Sequence, residues 1–195
     1  MGLRDILTGR HQVKGPAPDR LFAIATAYIT LQTEHEIVPS GAAAIVFQAL
    51  ATSEFEATLR EMEQVVTSAG GDTGTSVSTQ DDAYGYRWMV LRSPEGAPSI
   101  EDLAVGINAV SGSIEPAGHG ERLLCAVFAF LDARKRRVYF IYNYKRGYWY
   151  PFVPDQGGSE QRSTERELQL KAQIGSELPI EPELERWFPL WGIPF

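Results

Sequence analysis

Four short strings in this 195-residue sequence carry residue types that do chemistry, and each lacks a requirement of that chemistry. His35-Glu36-Ile37-Val38-Pro39 opens like a helical zinc site, in which two histidines four residues apart share one helix face. Pro39 stands at the second ligand position, offers no imidazole and breaks a helix, so that site is absent. Asp72-Thr73-Gly74 spells the core of an aspartic protease, whose mechanism needs two such carboxylates facing one another. One copy is present, and Gly70-Gly71 stands where an apolar strand should hold it, so a turn is expected. Gly118-His119-Gly120 puts an imidazole on a loop with no placed partner, and a solvated side chain is expected. Cys125 lies inside Leu123-Leu124-Cys125-Ala126-Val127-Phe128 with no adjoining cation to favour a thiolate, which predicts core packing rather than a nucleophile.

A site assembled only in three dimensions, around Asp81, Asp82, His119 and Tyr142, is the enzymatic or small-ligand reading that survives. Its mark would be a deep polar pocket with convergent titratable groups. One Cys and three dispersed His give no expectation of a zinc site, and no glycine loop of a phosphate-cradling type appears. The sequence therefore predicts no cofactor, no metal and no catalytic residue.

The stretch from Phe128 to Phe152 is the most informative. It holds ten of the chain's aromatic residues, interleaved with Arg134, Lys135, Arg136, Arg137, Lys145 and Arg146 and with Asp132 as its one acid. The chain as a whole is acidic, with 25 Asp+Glu against 18 Lys+Arg and a formal charge of −7, so positive charge is segregated here. Rings and guanidinium groups bury area at modest entropic cost, which is why protein interfaces use them as anchors. The candidate interaction surface is Arg134, Lys135, Arg136, Arg137, Lys145, Arg146, Tyr148 and Tyr150. A second reading sends one row of these side chains into the core and leaves the Arg run as a solvated hairpin turn. Both stand at this point. Glu177, Glu181, Glu183 and Glu185 supply acids that could fold back over the basic hairpin.

Composition sets the frame. Hydrophobic residues are 44% and charged residues 22% of the chain, ordinary for a globular protein that builds its own core without a disulfide or metal. The acidic balance argues against a general nucleic-acid binder. No signal-like segment and no apolar run of spanning length is seen, which predicts a cytoplasmic chain. The opening MGLRDILTGR is a short amphipathic turn with Leu3, Ile6 and Leu7 apolar, too short to fold alone. It predicts docking on the body, a partner or a lipid surface, so peripheral membrane contact stays open.

The elements that must position these residues can be read from periodicity. Asp19 opens a helix to about Glu34, Pro39-Ser40-Gly41 breaks the chain, and Ala42 to Leu50 is a strand. Ser53 and Glu56 have capping-box spacing ahead of a helix through Phe55, Leu59, Met62 and Val66. Thr73 to Thr79 is a weak edge strand turning at Asp81-Asp82-Ala83 into a stronger one, Tyr86 to Leu91. Ser99 caps a helix through Leu103, Ile107, Val110 and Ile114. Leu123 to Leu131 and Val138 to Tyr144 pair as strands, Trp149 to Val153 adds a short one, and a helix runs from about Glu160 to Ile174. This order predicts an α+β two-layer sandwich: a mainly antiparallel sheet covered by helices, with a βαββαβ-like centre, an added hairpin and a C-terminal helix. One domain is expected over residues 1–195, with 1–15 as an N-terminal docking segment and 177–195 as an aromatic tail packed on the body. Trp187 and Trp191, with Phe188 and Phe195, are the tail's expected anchors.

Taken jointly, the opening MGLRDILTGR, Tyr84-Gly85-Tyr86-x-Trp88, Tyr144-Lys145-Arg146-Gly147-x-x-Tyr150-Pro151-Phe152 and the ending ELPIEPELERWFPLWG resemble the family of PspA-associated proteins called PspAB. The resemblance implies an accessory or regulatory role in envelope stress, acting through a protein partner. Partners implied are a phage-shock PspA-type protein or an HtpX-like membrane metallopeptidase. It implies no catalytic residues, so none are carried over.

Overall fold

The computed structural model describes residues 18–48, 52–70, 73–114, 116–155, 157 and 160–195. Leu3, Ile6, Leu7 and the rest of the expected docking segment lie outside the described residues. A single turn, α1 (Pro18–Phe22), leads into α2 (Ile24–His35), which ends where Glu36 takes a left-handed φ of 53° and donates its N–H to the Leu31 carbonyl. The chain then alternates through β1 (Val38–Gln48), α3 (Ser53–Gly70), β2 (Ser76–Asp81), β3 (Tyr86–Arg92), α4 (Ile100–Ile114), β4 (Leu123–Leu131), β5 (Arg137–Asn143), β6 (Tyr148–Phe152) and α5 (Thr164–Ile174).

The six strands form one antiparallel sheet in the order β2-β3-β1-β4-β5-β6. β3 lies between β1 and β2, and β1 lies between β3 and β4. That is the interleaving of a split βαβ unit, with β5 and β6 added as a meander on one edge. The expected α+β sandwich is therefore the observed fold, and three local expectations are corrected. Pro39-Ser40-Gly41 does not break the chain: all three lie in β1, where the register against β4 shifts between Pro39 and Ala43 and Gly41 takes a φ of 81°. A bulge of this kind accommodates a residue without an N–H inside a sheet. The hydroxyl that caps α3 belongs to Thr52, which accepts the Phe55 N–H at 3.3 Å, rather than to Ser53. α5 begins four residues later than expected, because Arg162 is drawn into a bridge with Pro154.

Alternation along the strands divides the sheet residues cleanly. Ala43, Ile45, Phe47, Met89, Leu91, Ala126, Phe128, Phe130, Phe140 and Tyr142 face the helices. Ala42, Ala44, Val46, Trp88, Val90, Cys125, Val127, Ala129, Tyr139, Ile141, Tyr150 and Phe152 face the other way and are also buried. Burial on both faces explains why β4 reads as a continuous apolar run. On the helix side, α4 lies so close to β3 that a Cβ on Gly106 would stand 2.4 Å from Leu91 Cδ2. Among the described residues, the opposite side has no helix layer. It is covered by an irregular strap, residues 179–195, whose Trp187, Leu190, Trp191, Ile193 and Phe195 pack on the sheet.

Candidate interaction surface

The basic-aromatic stretch folds as β4, β5 and β6 with two turns, and those turns lie at opposite ends of β5. A seven-residue strand spans roughly 20 Å, so the eight candidate residues do not form one patch.

The first turn joins β4 to β5. Asp132 builds it: one carboxylate oxygen accepts the main-chain N–H groups of Arg134 and Arg136, each at 2.9 Å, and the other accepts Arg136 Nε at 2.8 Å. Lys135 donates its N–H to the Asp132 carbonyl at 2.8 Å and takes a left-handed φ of 60°. Burial pushes the Asp132 carboxyl up, but the Arg136 and Arg134 N–H groups and the Arg136 charge outweigh it and hold it below the usual range. The turn is thus a rigid frame carrying cations outward. Arg134 and Lys135 are exposed, and among the described residues neither side chain has a hydrogen-bond or ion-pair partner. Arg137, next along, bonds the Phe195 main-chain oxygen at 2.7 Å.

The second turn joins β5 to β6 and is folded into the body. Arg146 grips Glu181 through two nitrogens, at 2.9 and 3.2 Å, and reaches Glu183 at 3.5 Å. Glu181 is 2% exposed. Burial raises its carboxyl, and the Arg146 hydrogen bonds, the Glu183 N–H and the neighbouring guanidinium charges bring it net below the usual value. Arg20 lies over the Tyr148 ring at 4.9 Å and bonds the Gly147 carbonyl at 3.1 Å. Lys145 is exposed, and among the described residues its side chain has no hydrogen-bond or ion-pair partner. Tyr150, expected at the surface, is 3% exposed: alternation in β6 turns it under the strap, where its hydroxyl donates to the Phe188 carbonyl at 3.0 Å. The acids expected to fold over the basic hairpin divide likewise: Glu181 and Glu183 take Arg146, Glu177 takes Thr30, and none reaches Arg134 to Arg137. Of the expected tail anchors, Trp187 is buried at 4% exposure and Trp191 is half-buried in an edge-to-face contact with Phe152, whereas Phe188 is 57% exposed because its backbone, not its ring, faces Tyr150.

The alternative constellation does not assemble. Asp81 and Glu56 both pair with Arg87. Asp82 caps the β2–β3 turn through the Tyr84 and Tyr86 N–H groups and the Trp88 indole. Tyr142 is buried in the helix-side core against Trp149. His119, expected to be solvated, is half-buried, and its ring makes an edge-to-face contact with Phe55 at a centroid distance of 5.1 Å. Cys125 is buried, and burial pushes its thiol up to about 12, so it is a packing residue. Among the described residues no three His, Cys, Asp or Glu side chains are grouped to hold a metal ion, and no helix is long and apolar enough to cross a membrane.

The family model for PspA associated protein B matches residues 1–195. The chain belongs to that family. The family description links it to PspA as an associated protein. No curated protein and no solved structure matches the chain. The residues from Asp132 to Arg137 read as a turn in the sequence, and the structure has that turn; what sequence reasoning missed is that the Asp132 side chain organises it. The signal was available, since Asp132-Ala133-Arg134-Lys135 between two apolar runs has the form of an Asx turn.

Proposed function

We propose that this protein is a non-enzymatic accessory of the PspA-type membrane-stress response and works by binding a protein partner through the β4–β5 turn. The carrying observation is the pair of free cations, Arg134 and Lys135, displayed on a turn that Asp132 makes rigid. A preorganised cation loses little side-chain and backbone freedom on meeting an acidic surface, and charge complementarity of this kind sets encounter rate and partner choice. The reading extends to a cytoplasmic chain working against a membrane-associated partner, PspA-type first and HtpX-like second.

The test is binding of the purified protein to the PspA-type protein of its own organism. Arg134→Ala with Lys135→Ala is expected to weaken binding about tenfold, the effect of losing roughly 1.4 kcal/mol of charge pairing, with the melting temperature unchanged within a few degrees. Unchanged affinity removes the turn from the reading. Absence of binding by the unmodified protein removes the PspA-type partner, and the HtpX-like protein is then put through the same assay.

A further inference from the structure

The strap is held on the sheet in an unusual way. It starts as a short parallel addition beside β6: the Trp149 N–H donates to the Pro179 carbonyl at 2.9 Å and the Glu181 N–H to the Trp149 carbonyl at 2.7 Å. Among the described residues, nothing beyond Trp187 makes a main-chain to main-chain hydrogen bond with the sheet. Side chains of the body take over, reading the strap's carbonyl oxygens. Arg162 Nη1 donates to Trp187 O at 2.5 Å, Tyr150 to Phe188 O at 3.0 Å, Arg92 to Pro194 O at 3.4 Å, and Arg137 and Tyr139 to Phe195 O at 2.7 and 3.1 Å. Arg162 is itself fixed by the buried Glu167.

Between these donors the strap's rings enter an aromatic floor. Trp187 stacks on Tyr150 with centroids 6.4 Å apart, Trp191 meets Phe152 edge-to-face at 5.2 Å, and Phe195 meets Trp88 at 6.4 Å and Tyr139 at 6.3 Å. Small residues, Ala42, Ala44, Cys125 and Ala129, keep that floor low. The occupant, Trp187-Phe188-Pro189-Leu190-Trp191-Gly192-Ile193-Pro194-Phe195, has two prolines and no regular structure. Donors aimed at carbonyl oxygens, with aromatic slots between them, are how a protein takes an extended proline-containing peptide as a ligand, since such a segment enters with little entropy to lose.

We propose that the strap-covered face of the sheet, which carries no helix among the described residues, is a peptide-binding groove for an extended Trp/Phe- and Pro-containing segment of a partner protein, and that residues 187–195 are its resident occupant in cis. The occupant's chemistry is the argument for the partner's: what the groove reads in the strap is carbonyl spacing and ring placement, which a segment of similar make presents equally well. The cis strap competes at high effective concentration, so the groove answers only to a partner that binds well or to a strap that has been loosened. This groove is separate from the β4–β5 turn, although Arg137 borders both.

Cys125 is the sequence's one cysteine and lies in the floor of the groove, so its reaction with a thiol reagent reports uncovering. The full chain carrying Trp187→Ala and Trp191→Ala is compared with the unmodified chain, with and without a synthetic peptide of residues 183–195. The expected result is labelling at least tenfold faster in the variant, slowed again by the peptide, and peptide binding at least tenfold tighter to the variant than to the unmodified chain. Tyr150→Phe in the variant background is expected to weaken the peptide several-fold, one hydrogen bond's worth. Labelling that stays slow in the variant, or acceleration that the peptide does not reverse, overturns the proposal. A variant that dimerises and refuses the peptide assigns the face to a second copy and overturns it equally. If the double variant does not melt cooperatively, Trp191→Ala alone, which keeps the buried Trp187, is put through the same peptide measurement with the same outcomes.

Discussion

The two turns that bracket β5 are similar in sequence and opposite in use. Each opens on an Asx side chain that accepts main-chain N–H, Asp132 from two residues and Asn143 from one. Each includes one residue in the left-handed region, Lys135 at 60° and Gly147 at 68°. Each carries a Lys-Arg or Arg-Lys pair. The β5–β6 turn spends Arg146 on the chain's own Glu181 and Glu183, and Tyr148 on Arg20, whereas the β4–β5 turn keeps its one acid for building the turn and leaves Arg134 and Lys135 to solvent. Local charge therefore does not distinguish a structural cation from one available to a partner. What distinguishes them is whether the fold brings an acid from elsewhere in the chain to the same end of the strand.

The widest separation between the turns is expected from Arg146→Ala set against Arg134→Ala. Removing Arg146 leaves Glu181, 2% exposed, without the one guanidinium that hydrogen-bonds it, with only the more distant Arg186 charge nearby, and frees the start of the strap; a buried carboxylate so stranded is costly. A fall of many degrees in Tm is expected, against a change within about 2 °C for Arg134→Ala, a surface substitution with no partner to lose. The deficit should depend on pH with a definite sign. Glu181 is held below its unfolded value, so its contribution is complete above about pH 4.3 and is lost as pH falls through the lower folded value. Thermal melts of the two proteins should thus converge on acidification below about pH 4. A constant gap would mean that Arg146 acts through packing alone.

Asp132→Ala comes next. It removes three hydrogen bonds from a carboxylate that is 7% exposed and should cost about 1–2 kcal/mol. It also sharpens the comparison, because both free cations remain while their frame is lost. Partner binding is expected to weaken several-fold, and a variant that binds as well as the unmodified protein would show that the turn's charge suffices without its rigidity.

Much of this was legible in the sequence, for identifiable reasons. The helices and strands follow from spacing: Phe55, Leu59, Met62 and Val66 recur at helical intervals and line one face of α3, and the continuous apolar run of β4 has strand length, although its burial on both sides is decided by the strap. The Pro39 to Gly41 bulge was not legible, because Pro-Ser-Gly has the same composition in a turn as in a bulged strand, and only pairing with β4 decides. The candidate surface was half legible. Residue types marked the right 25-residue stretch, but alternation along β6 decides that Tyr150 is inside, and the long-range return of Glu181 decides that Arg146 is occupied. Neither is a property of the stretch itself.

The smallest expected effects compare the two left-handed positions directly. Gly147→Ala places a Cβ where φ is +68°, within 3.5 Å of Arg20 Nη1 and 3.7 Å of the Tyr142 hydroxyl, and should destabilise by about 1 kcal/mol. Lys135→Gly does the reverse at +60°. It removes the steric cost of a side chain in that region and adds chain entropy to the unfolded state, two terms that nearly cancel, so stability should rise by at most about 0.5 kcal/mol. A turn kept only for folding would therefore tolerate glycine at 135 better than lysine. Binding should move the other way, weakening by a few-fold with the loss of one free cation. Isothermal titration alongside thermal melts separates the two. A Lys135→Gly protein that is no less stable yet binds more weakly places the lysine there for a partner, and one that binds unchanged returns the β4–β5 turn to the same structural status as its counterpart at the other end of the strand.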